Sequence, residues 1–382
     1  MILIEHGPKG RQALFERPER LLIATSLDEV ITVLDQAEAA RRAGFWVAGY
    51  LAYEAGCAFE PRLRDLLKPD DAPLAVLGIY AAPQPATALL DKAADQAAAA
   101  RLASELHCRI TRADYDTAFA RLKDYIAAGD CYQVNLTFPV ETRLEEGSAL
   151  GLYGALRARQ PVGYGAFVDP GVGPVILSRS PELFFRCAEG QIETRPMKGT
   201  APRHVDPARD DALKQELAAC PKVQAENLMI VDLLRNDIAR ICRPGSVHVP
   251  ELFAIDSFAT VHQMSSRIRG TLAARDAGLV ELMAALFPCG SVTGAPKIRA
   301  MQIIAELEPA PRGVYCGAIG WAAPDGAQCW SVAIRSLRLS ESGRILANVG
   351  GGVVHDSTAA GEWEEALWKT RYLQALTTPA CG

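Results

Sequence analysis

Three strand-like segments follow one another near the end of the chain with only short turns between them. They span residues 314–321, 328–339 and 344–354, and the turns contain Pro-Asp-Gly and Ser-Gly. Two earlier segments, residues 175–185 and 191–196, flank an Ala-Glu-Gly turn and predict a hairpin. Because a short turn can join only antiparallel neighbours, both sets predict antiparallel sheet.

Helical periodicity is found between these strand groups and not after each strand in turn. Four helices are predicted at residues 207–219, 222–241, 278–286 and 297–307. Antiparallel strands mixed with helices in this way predict an α/β (α+β) layered fold. The glycine clusters match neither a dinucleotide-binding fingerprint nor a P-loop, so the sequence gives no support to dinucleotide or ATP chemistry.

The first part of the chain carries a helix signal of its own. Ser26 and Glu29 have the spacing of a capping box, and apolar residues then repeat at helical spacing. Residues 83–106 begin with alternating proline and become rich in alanine, which is typical of a connection leading into a surface helix. We therefore divide the chain into an N-terminal region, residues 1–108, and a larger domain, residues 109–378.

The composition is that of an ordinary globular protein. Of the 382 residues, 49% are hydrophobic and 22% are charged, which excludes extensive disorder. The formal net charge is -5 and the basic residues are scattered, so nucleic acid and acidic membrane surfaces are poor partners. The start, MILIEHGPKG, lacks the pattern of a secretory signal, and no window approaches the roughly 18 apolar residues of a membrane-spanning helix. Ten cysteines without a C-x-x-C spacing are predicted to be reduced thiols of a cytoplasmic protein.

Two predicted helices carry carboxylates that are candidates for holding a metal ion. Glu362, Glu365 and Lys369 are spaced i, i+3 and i+7, which places all three on one helical face. Glu226 lies at the head of an apolar helix that is predicted to be largely buried, so its carboxylate requires a partner. Carboxylates from two facing helices suit Mg²⁺, although the first face taken alone is also that of a solvated helix.

Three further features provide cations and backbone donors. Lys198 follows a strand, and its amine would be a nucleophile only if desolvation lowered its pKa from about 10.4. The run Gly350 to Gly352 presents N–H groups that suit an anion, and Arg335 on a neighbouring strand suits a carboxylate. Taken singly, these features also fit a surface lysine and a tight turn beside a solvated arginine. Together with the carboxylates they predict a Mg²⁺ site that takes a small polycarboxylate.

Nine blocks of sequence lie in order along the chain. They are GDCYQVNLTFP, SRSPELFF, RPMKGTAPR, AENLMIVDLLRND, TVHQMSSRIRG, GSVTGAPKIRAM, VYCGAIGW, VAIRSL and GGGVVHDSTAAGEWEEALWK. Together they resemble the chorismate-utilising enzymes, and within that family the component I group of aminodeoxychorismate synthases, with anthranilate synthase component I and isochorismate synthase as relatives. The resemblance covers residues 110–376. It implies a layered α/β/β/α fold with large antiparallel sheets around a single deep site, and a chorismate-binding catalytic domain from residue 109.

The resemblance also carries binding roles over to matching positions. The implied metal ligands are Glu226 and Glu365, with Glu362 holding a metal-bound water. The positions implied to bind the ring carboxylate of chorismate are Lys369, Gly350, Gly351 and Gly352. Those implied to bind its enolpyruvyl carboxylate are Tyr315 and Arg335. The positions implied to contact the ring or line the pocket are His262, Ser291, Gly199 and Thr200.

Two positions decide which nucleophile reaches the ring in this family. Gln133 stands where isochorismate and salicylate synthases have a lysine that activates water, so water is disfavoured. Lys198 stands where anthranilate synthases have a small residue, so C2 is not open to ammonia. The resemblance therefore implies that Glu182 protonates the C4 hydroxyl while Lys198 adds to C2, and that ammonia then attacks C4. The product would be 4-amino-4-deoxychorismate, which feeds 4-aminobenzoate and folate synthesis.

The same resemblance implies a partner. No glutaminase segment with catalytic Cys and His is detectable, so a separate glutamine amidotransferase subunit would supply the ammonia. Two alternatives stay open, namely anthranilate synthase component I, against which Lys198 argues, and a non-catalytic subunit that activates a glutaminase. Cys220 and Val223 replace the Asp and Asn usual in the family, and Cys289 replaces a common Gly, which predicts weaker metal affinity at most.

Overall fold

Two large antiparallel sheets dominate the computed structural model, which describes residues 1–258 and 261–377. The strands of the first half are β1 (Ile2–Ile4), β2 (Ala13–Phe15), β3 (Arg20–Ala24), β4 (Trp46–Leu51), β5 (Ala75–Tyr80), β6 (Gln84–Pro85), β7 (Arg101–Leu102), β8 (His107–Cys108), β9 (Gln133–Glu146), β10 (Tyr164–Val168) and β11 (Val175–Ser180). Those of the second half are β12 (Leu183–Ala188), β13 (Gln191–Arg195), β14 (Met197–Pro202), β15 (His248–Ser257), β16 (Val261–Thr271), β17 (Gly294–Ala295), β18 (Ala318–Ala322), β19 (Gln328–Val332), β20 (Ser336–Leu339) and β21 (Arg344–Val353). The α-helices are α1 (Leu27–Arg42), α2 (Thr87–Gln96), α3 (Arg112–Ala127), α4 (Ala149–Arg159), α5 (Pro207–Ala219), α6 (Pro221–Ala239), α7 (Leu279–Leu286), α8 (Lys297–Leu307), α9 (Ala359–Trp368) and α10 (Arg371–Gln374).

The two sheets have a similar size but take their strands from distant parts of the chain. The first has the order β17-β9-β21-β20-β11-β10-β1-β2-β6, with β7 and β8 also paired to β9. The second has the order β14-β16-β13-β12-β19-β18-β4-β5-β3, with β15 paired to β16. Neighbouring strands are antiparallel throughout, for example β9 with β21 and β13 with β16, which confirms the predicted sheet type.

Apolar packing arranges these elements in layers. One core joins Ile2 of the first sheet to Tyr50 and Trp321 of the second, so the two sheets pack against each other. A second core joins the first sheet to Leu90 of α2 and to α4. A third joins the second sheet to α1 through residues such as Val30 and also takes in α6, α7 and α8. The predicted α/β/β/α layering is confirmed, because each sheet buries one face against the other and one face under helices.

The N-terminal residues share both sheets with the rest of the chain. β1 pairs with β10, and β4 pairs with β18. The capping box at the start of α1 is present, since the amide of Glu29 donates to Ser26 Oγ at 3.4 Å and the amide of Ser26 donates to Glu29 Oε2 at 3.0 Å. The proposed boundary between residues 108 and 109 stays a prediction, and residue 378 lies outside the described residues.

Two predicted strands prove to be pairs of strands that pass from one sheet to the other. Residues 175–185 break at Pro181, so β11 lies in the first sheet and only β12 forms the predicted hairpin with β13. Residues 328–339 break before Arg335, whose φ is 51°, so β19 and β20 lie in different sheets. Proline cannot donate to a sheet ladder, and a positive φ cannot continue an extended strand, which explains both breaks.

Helix boundaries follow local signals closely. α5 and α8 span the predicted residues, whereas α6 ends at Ala239 and α7 begins at Leu279. The prediction that α6 is largely buried is wrong for one face, since Leu228 is 44% exposed while Ile230 is fully buried. In the described part of the chain, no helix is both long enough and apolar enough to cross a bilayer. The cysteines described there are free thiols, and Cys381 lies outside it.

Candidate active site

The candidate site is built around Gly350, Gly351 and Gly352 near the end of β21. A side chain at Gly351 would meet Glu362 Oε2 at 2.9 Å, Lys369 Nζ at 3.6 Å and Glu365 Oε1 at 3.7 Å from its Cβ. A side chain at Gly352 would meet Gln133 Nε2 at 2.5 Å and Lys198 Nζ at 3.2 Å. Because successive Cβ atoms of a strand point to opposite faces, Glu362, Glu365 and Lys369 approach β21 from one side, and Gln133 and Lys198 approach it from the other. Lys198 is nevertheless within electrostatic reach of Glu365 and Lys369.

Strand register decides which glycine amides point to the unpaired edge of β21. β20 pairs with β21 only as far as Ala347, so beyond it the edge away from β9 has no strand partner among the described residues. Residues of β9 opposite Gly350 and Gly352 turn their amides elsewhere, since Thr137 N donates to Glu308 and Asn135 N to Thr293. Because N–H groups alternate between the two edges of a strand, the amides of Gly350 and Gly352 face the open edge and that of Gly351 faces β9.

Carboxylates from α6 and α9 lie near these glycines. Lys369 Nζ donates to Glu365 Oε1 at 2.9 Å and to the carbonyl oxygen of Gly350 at 2.7 Å. Glu362 Oε1 accepts a hydrogen bond from Ser357 Oγ at 2.7 Å. Burial raises the pKa of Glu362 and of Glu226, against the opposing effects of Ser357 on the first and of Lys198 on the second. For both carboxylates, the cost of burial outweighs the nearby positive charges.

The donor set fits Mg²⁺. Among residues 1–258 and 261–377, no three His, Cys, Asp or Glu side chains are close enough together to hold a metal ion by themselves. Mg²⁺ usually takes only one or two protein carboxylates, with waters and substrate oxygens completing its octahedron. Glu226 and Glu365, each within electrostatic reach of the other, are oxygen donors of the required kind.

Lys198 has its amine buried beside Gly352, without an ionic partner. It stands on β14 opposite Met264, and no carboxylate of the described residues comes within 4.0 Å of its ammonium. Burial lowers the pKa of Lys198, and the nearby charges of Glu226 and Glu182 oppose this only in part. A buried amine whose charged form is disfavoured is available as a nucleophile.

Glu182 lies at the point where the chain crosses from β11 to β12. Its side chain is buried, and Oε1 accepts a hydrogen bond from Ser291 Oγ at 2.6 Å. Cys289 Sγ lies 3.2 Å from the same hydroxyl. Burial raises the pKa of Glu182 to about 7, although the Ser291 hydrogen bond and the charge of Lys198 act against the shift. A carboxyl that is still protonated near neutral pH can act as a general acid.

Two polar side chains are left without the partners that their burial demands. Gln133 is 1% exposed, and neither its amide nitrogen nor its amide oxygen has a hydrogen-bond partner. Burial lowers the pKa of Arg335, with Tyr372 opposing, and its guanidinium has no ion-pair partner within the described part of the chain. Unpaired buried polar groups are costly, so both side chains indicate a polar and anionic ligand.

Two further predicted positions, Tyr315 and His262, are buried as well. Tyr315 is buried, and the following Cys316 donates its amide to the carbonyl oxygen of Ala333 near Arg335. His262 is buried and contacts Ser257 Oγ at 2.8 Å and Asp210 Oδ1 at 3.1 Å. Those two contacts satisfy both of its ring nitrogens.

Gly199 and Thr200 follow Lys198 on β14. Gly199 has a φ of 74°, and a Cβ there would collide with Val223 of α6, so only glycine fits. Thr200 is exposed. Beside Lys198, the backbone of Gly199 is therefore packed closely against α6.

Two residues near the site, Ser357 and Lys222, were not predicted from the sequence. Ser357, which stands in the block before α9, holds Glu362, although the N-cap of α9 is Thr358. Lys222 lies on α6 one turn before Glu226. After burial and other larger effects, its charge helps to lower the pKa of Glu226, Glu362 and Glu365. The i, i+4 spacing of Lys222 and Glu226 was the available signal.

Comparison with known proteins points to one family. An aminodeoxychorismate synthase component 1 from Klebsiella aerogenes is 43% identical over 76% of this chain and 64% of that protein. An anthranilate synthase component 1 from Streptomyces coelicolor is 41% identical over 69% of this chain and 51% of that protein. The solved anthranilate synthase component I from Streptococcus pneumoniae superposes with a TM-score of 0.80 at 25% identity, over 95% of this chain and 91% of that one.

These matches fix the family more firmly than the reaction. The chain spans less than two thirds of the length of both curated relatives, 64% and 51%, and the two identities of 43% and 41% are nearly equal. The family model for chorismate binding enzymes matches residues 2–375, almost the whole chain. The protein therefore belongs to the chorismate binding enzyme family.

Proposed function

We propose that this protein aminates chorismate at C4, as an aminodeoxychorismate synthase component I. The observation that carries the proposal is the amine of Lys198, which is buried, unpaired and placed beside Gly352 at the end of β21, where the substrate ring would lie. The 43% identical relative is named for the same reaction, while a relative with a nearly equal identity of 41% is named for anthranilate synthesis. Lys198 favours the first, because its side chain takes the space through which ammonia would reach C2.

Binding of chorismate would use the unpaired guanidinium of Arg335, the glycine amides at the open edge of β21 and the ammonium of Lys369. Arg335 would pair with the enolpyruvyl carboxylate, and the amides of Gly350 and Gly352 with Lys369 would receive the ring carboxylate. Mg²⁺, held by Glu226 and Glu365, would neutralise the ring carboxylate when bound. Together, Arg335, Lys369 and the glycine amides would hold the ring with C2 towards Lys198.

The reaction then runs in two substitutions. The neutral amine of Lys198 forms a bond to C2, the double bonds shift round the ring, and the C4 hydroxyl leaves as water with a proton from Glu182. Ammonia next attacks C4, the double bonds shift back, and the bond between C2 and Lys198 breaks. The proton lost by the new ammonium group returns to Glu182. The products are 4-amino-4-deoxychorismate and water, and the enolpyruvyl ether stays intact.

The ammonia would come from a glutamine amidotransferase subunit. The relatives are named as components 1, which supports a second component. An ammonium salt at high concentration should replace this subunit in vitro, because ammonia is the nucleophile whether the subunit or the salt supplies it.

Product identity and metal dependence test the proposal. We expect the purified chain with chorismate, ammonium chloride and MgCl2 to form a non-fluorescent product aminated at C4, detected by chromatography and mass spectrometry. Removing Mg²⁺ with EDTA should lower turnover by about 100-fold or more, since the ring carboxylate loses its charge partner, and added MgCl2 should restore it. Fluorescent o-aminobenzoate as the main product would contradict C4 amination, and turnover unchanged by EDTA would contradict the metal.

A second test concerns Arg335. We expect Arg335→Met to raise KM for chorismate by about 10- to 100-fold, the loss of one charge-assisted hydrogen bond, with a smaller effect on kcat. Arg338→Met is the matched control, because that guanidinium is already ion-paired with Asp70. Steady-state kinetics with varied chorismate measure both variants. An equal rise of KM in the two variants would assign the effect to the strand and not to the substrate carboxylate.

A further inference from the structure

Lys123 on α3 binds the backbone of the turn that leads into α9. Its Nζ donates to the carbonyl oxygens of Val354 at 3.3 Å, of His355, and of Ser357 at 3.2 Å. A lysine ammonium has three donors, and all three are used within one short turn. A half-buried lysine bound in this way differs from a solvated surface lysine, because its donors fix the path of another segment.

The turn that Lys123 binds is closed by its own hydrogen bonds. The amide of Ser357 donates to the carbonyl oxygen of Val354 at 3.1 Å, and the amide of Val354 donates to Ser357 Oγ at 3.1 Å. The Ser357 hydroxyl therefore has its position and its remaining donor direction set. It spends that donor on Glu362 Oε1, at 2.7 Å.

As a result, the positions of both carboxylate oxygens of Glu362 are fixed. Oε1 is held by Ser357, and the second carboxylate oxygen of Glu362, Oε2, points to Gly351. It lies 2.9 Å from the position that a Cβ on Gly351 would take. Packing holds the helix itself, since Trp363 stacks on Phe138 with centroids 4.7 Å apart and lies 5.0 Å from Tyr115 of α3. α3 thus fixes α9 through its aromatic face and the preceding turn through Lys123.

We propose that Lys123 is a positioning residue for the metal site, acting on Glu362 through the carbonyl oxygens of Val354, His355 and Ser357 and through the Ser357 hydroxyl. This inference rests on the proposed Mg²⁺ site. Its effect is geometric, because the ammonium bonds to backbone and Ser357 alone touches the carboxylate. Positioning groups of this kind commonly change metal affinity by about 10- to 100-fold.

Calorimetric titration of the free enzyme with MgCl2 tests the inference without any turnover. Lys123→Met keeps the length of the side chain but removes its donors, and we expect it to raise the Mg²⁺ dissociation constant by about 10-fold. Lys123→Arg, which can still donate to carbonyl oxygens, should recover most of the affinity. Lys92→Met is the matched control, since that lysine is exposed on α2 and its loss should leave Mg²⁺ affinity unchanged.

A double-mutant cycle separates this chain of contacts from general destabilisation. Ser357→Ala should weaken Mg²⁺ binding by itself, and adding Lys123→Met should have little further effect, because both changes break the same path. In kinetics, the Mg²⁺ concentration for half-maximal rate should rise about 10-fold while kcat at saturating Mg²⁺ stays within about twofold. Additive effects, or lower melting temperature and kcat with an unchanged Mg²⁺ constant, would overturn the inference. A wild-type enzyme that binds no Mg²⁺ would overturn the metal site itself and this inference with it.

Discussion

Lys198→Ala should lower the rate of C4 amination by about 10⁴-fold or more, since removal of a covalent nucleophile leaves only binding and general electrostatic effects. The buried amine has no ionic partner in the described residues whose loss would explain so large an effect. Steady-state assays with chorismate, ammonium chloride and MgCl2 give the rate. Melting temperature should change little or rise, because the variant removes a poorly solvated amine without leaving an unpaired charge.

A second variant at the same position separates two roles of the side chain. Lys198→Met removes the amine but fills the space, whereas Lys198→Ala also opens a path to C2. We expect both to lose C4 amination, and only Lys198→Ala to form a trace of the C2-aminated product that yields o-aminobenzoate. Substantial C4 amination by Lys198→Met would show that the side chain excludes ammonia from C2 and nothing more. Lys92→Met, on an exposed helix face, should behave as wild type.

Glu182→Gln should lower kcat by about 10²- to 10⁴-fold, the usual contribution of a general acid. Glutamine keeps the shape of the side chain and can still accept the Ser291 hydrogen bond, but it cannot release a proton. In the wild type, activity should fall as pH rises through the Glu182 pKa of about 7, because the acid becomes ionised. Activity should also fall as pH falls through the lowered pKa of Lys198, because only the neutral amine can add to C2. The alkaline fall assigned to Glu182 should be absent from the residual activity of the variant.

Glu54 offers a matched control for this experiment. It is buried, and burial raises its pKa to about 7 as well, but its oxygens accept the amides of Arg312 at 2.6 Å and Gly313 at 3.0 Å outside the site. Both raised pKa values imply stability that is present at low pH and lost as pH rises from about 4.5 towards 7. Either Gln variant should reduce that pH dependence of the melting temperature, whereas only Glu182→Gln should lose the acid step. Equal losses of kcat would contradict the role of Glu182.

Local signals in the sequence were enough to predict several elements and the placement of some candidate site residues. α5 begins at Pro207 behind the Asp206 cap, and α8 also has its predicted bounds, because capping residues and apolar spacing are read from adjacent positions. The i, i+3, i+7 spacing put Glu362, Glu365 and Lys369 on one face, and the structure has them together at Gly351. Lys198 before a glycine was equally visible.

Features set by distant strands could not be predicted from the sequence. The crossing at Arg335 depends on a positive φ that arginine rarely adopts, so no side-chain signal marks it. The register of β21 on β9 decides that Gly350 and Gly352 face the open edge, and three identical residues carry no register signal. The contact of Lys123 with residues 354–357 joins segments far apart in the chain. All three depend on tertiary packing.

The central claim is that Lys198 bonds covalently to the substrate ring, and one measurement tests it most directly. The enzyme is mixed with chorismate and MgCl2 without ammonia, quenched, digested and analysed by mass spectrometry. We predict that the peptide containing Lys198 gains the mass of chorismate less one water, that ammonia added before the quench removes this adduct, and that Lys198→Met shows none. An active wild-type enzyme whose Lys198 peptide stays unmodified under these conditions would contradict the account.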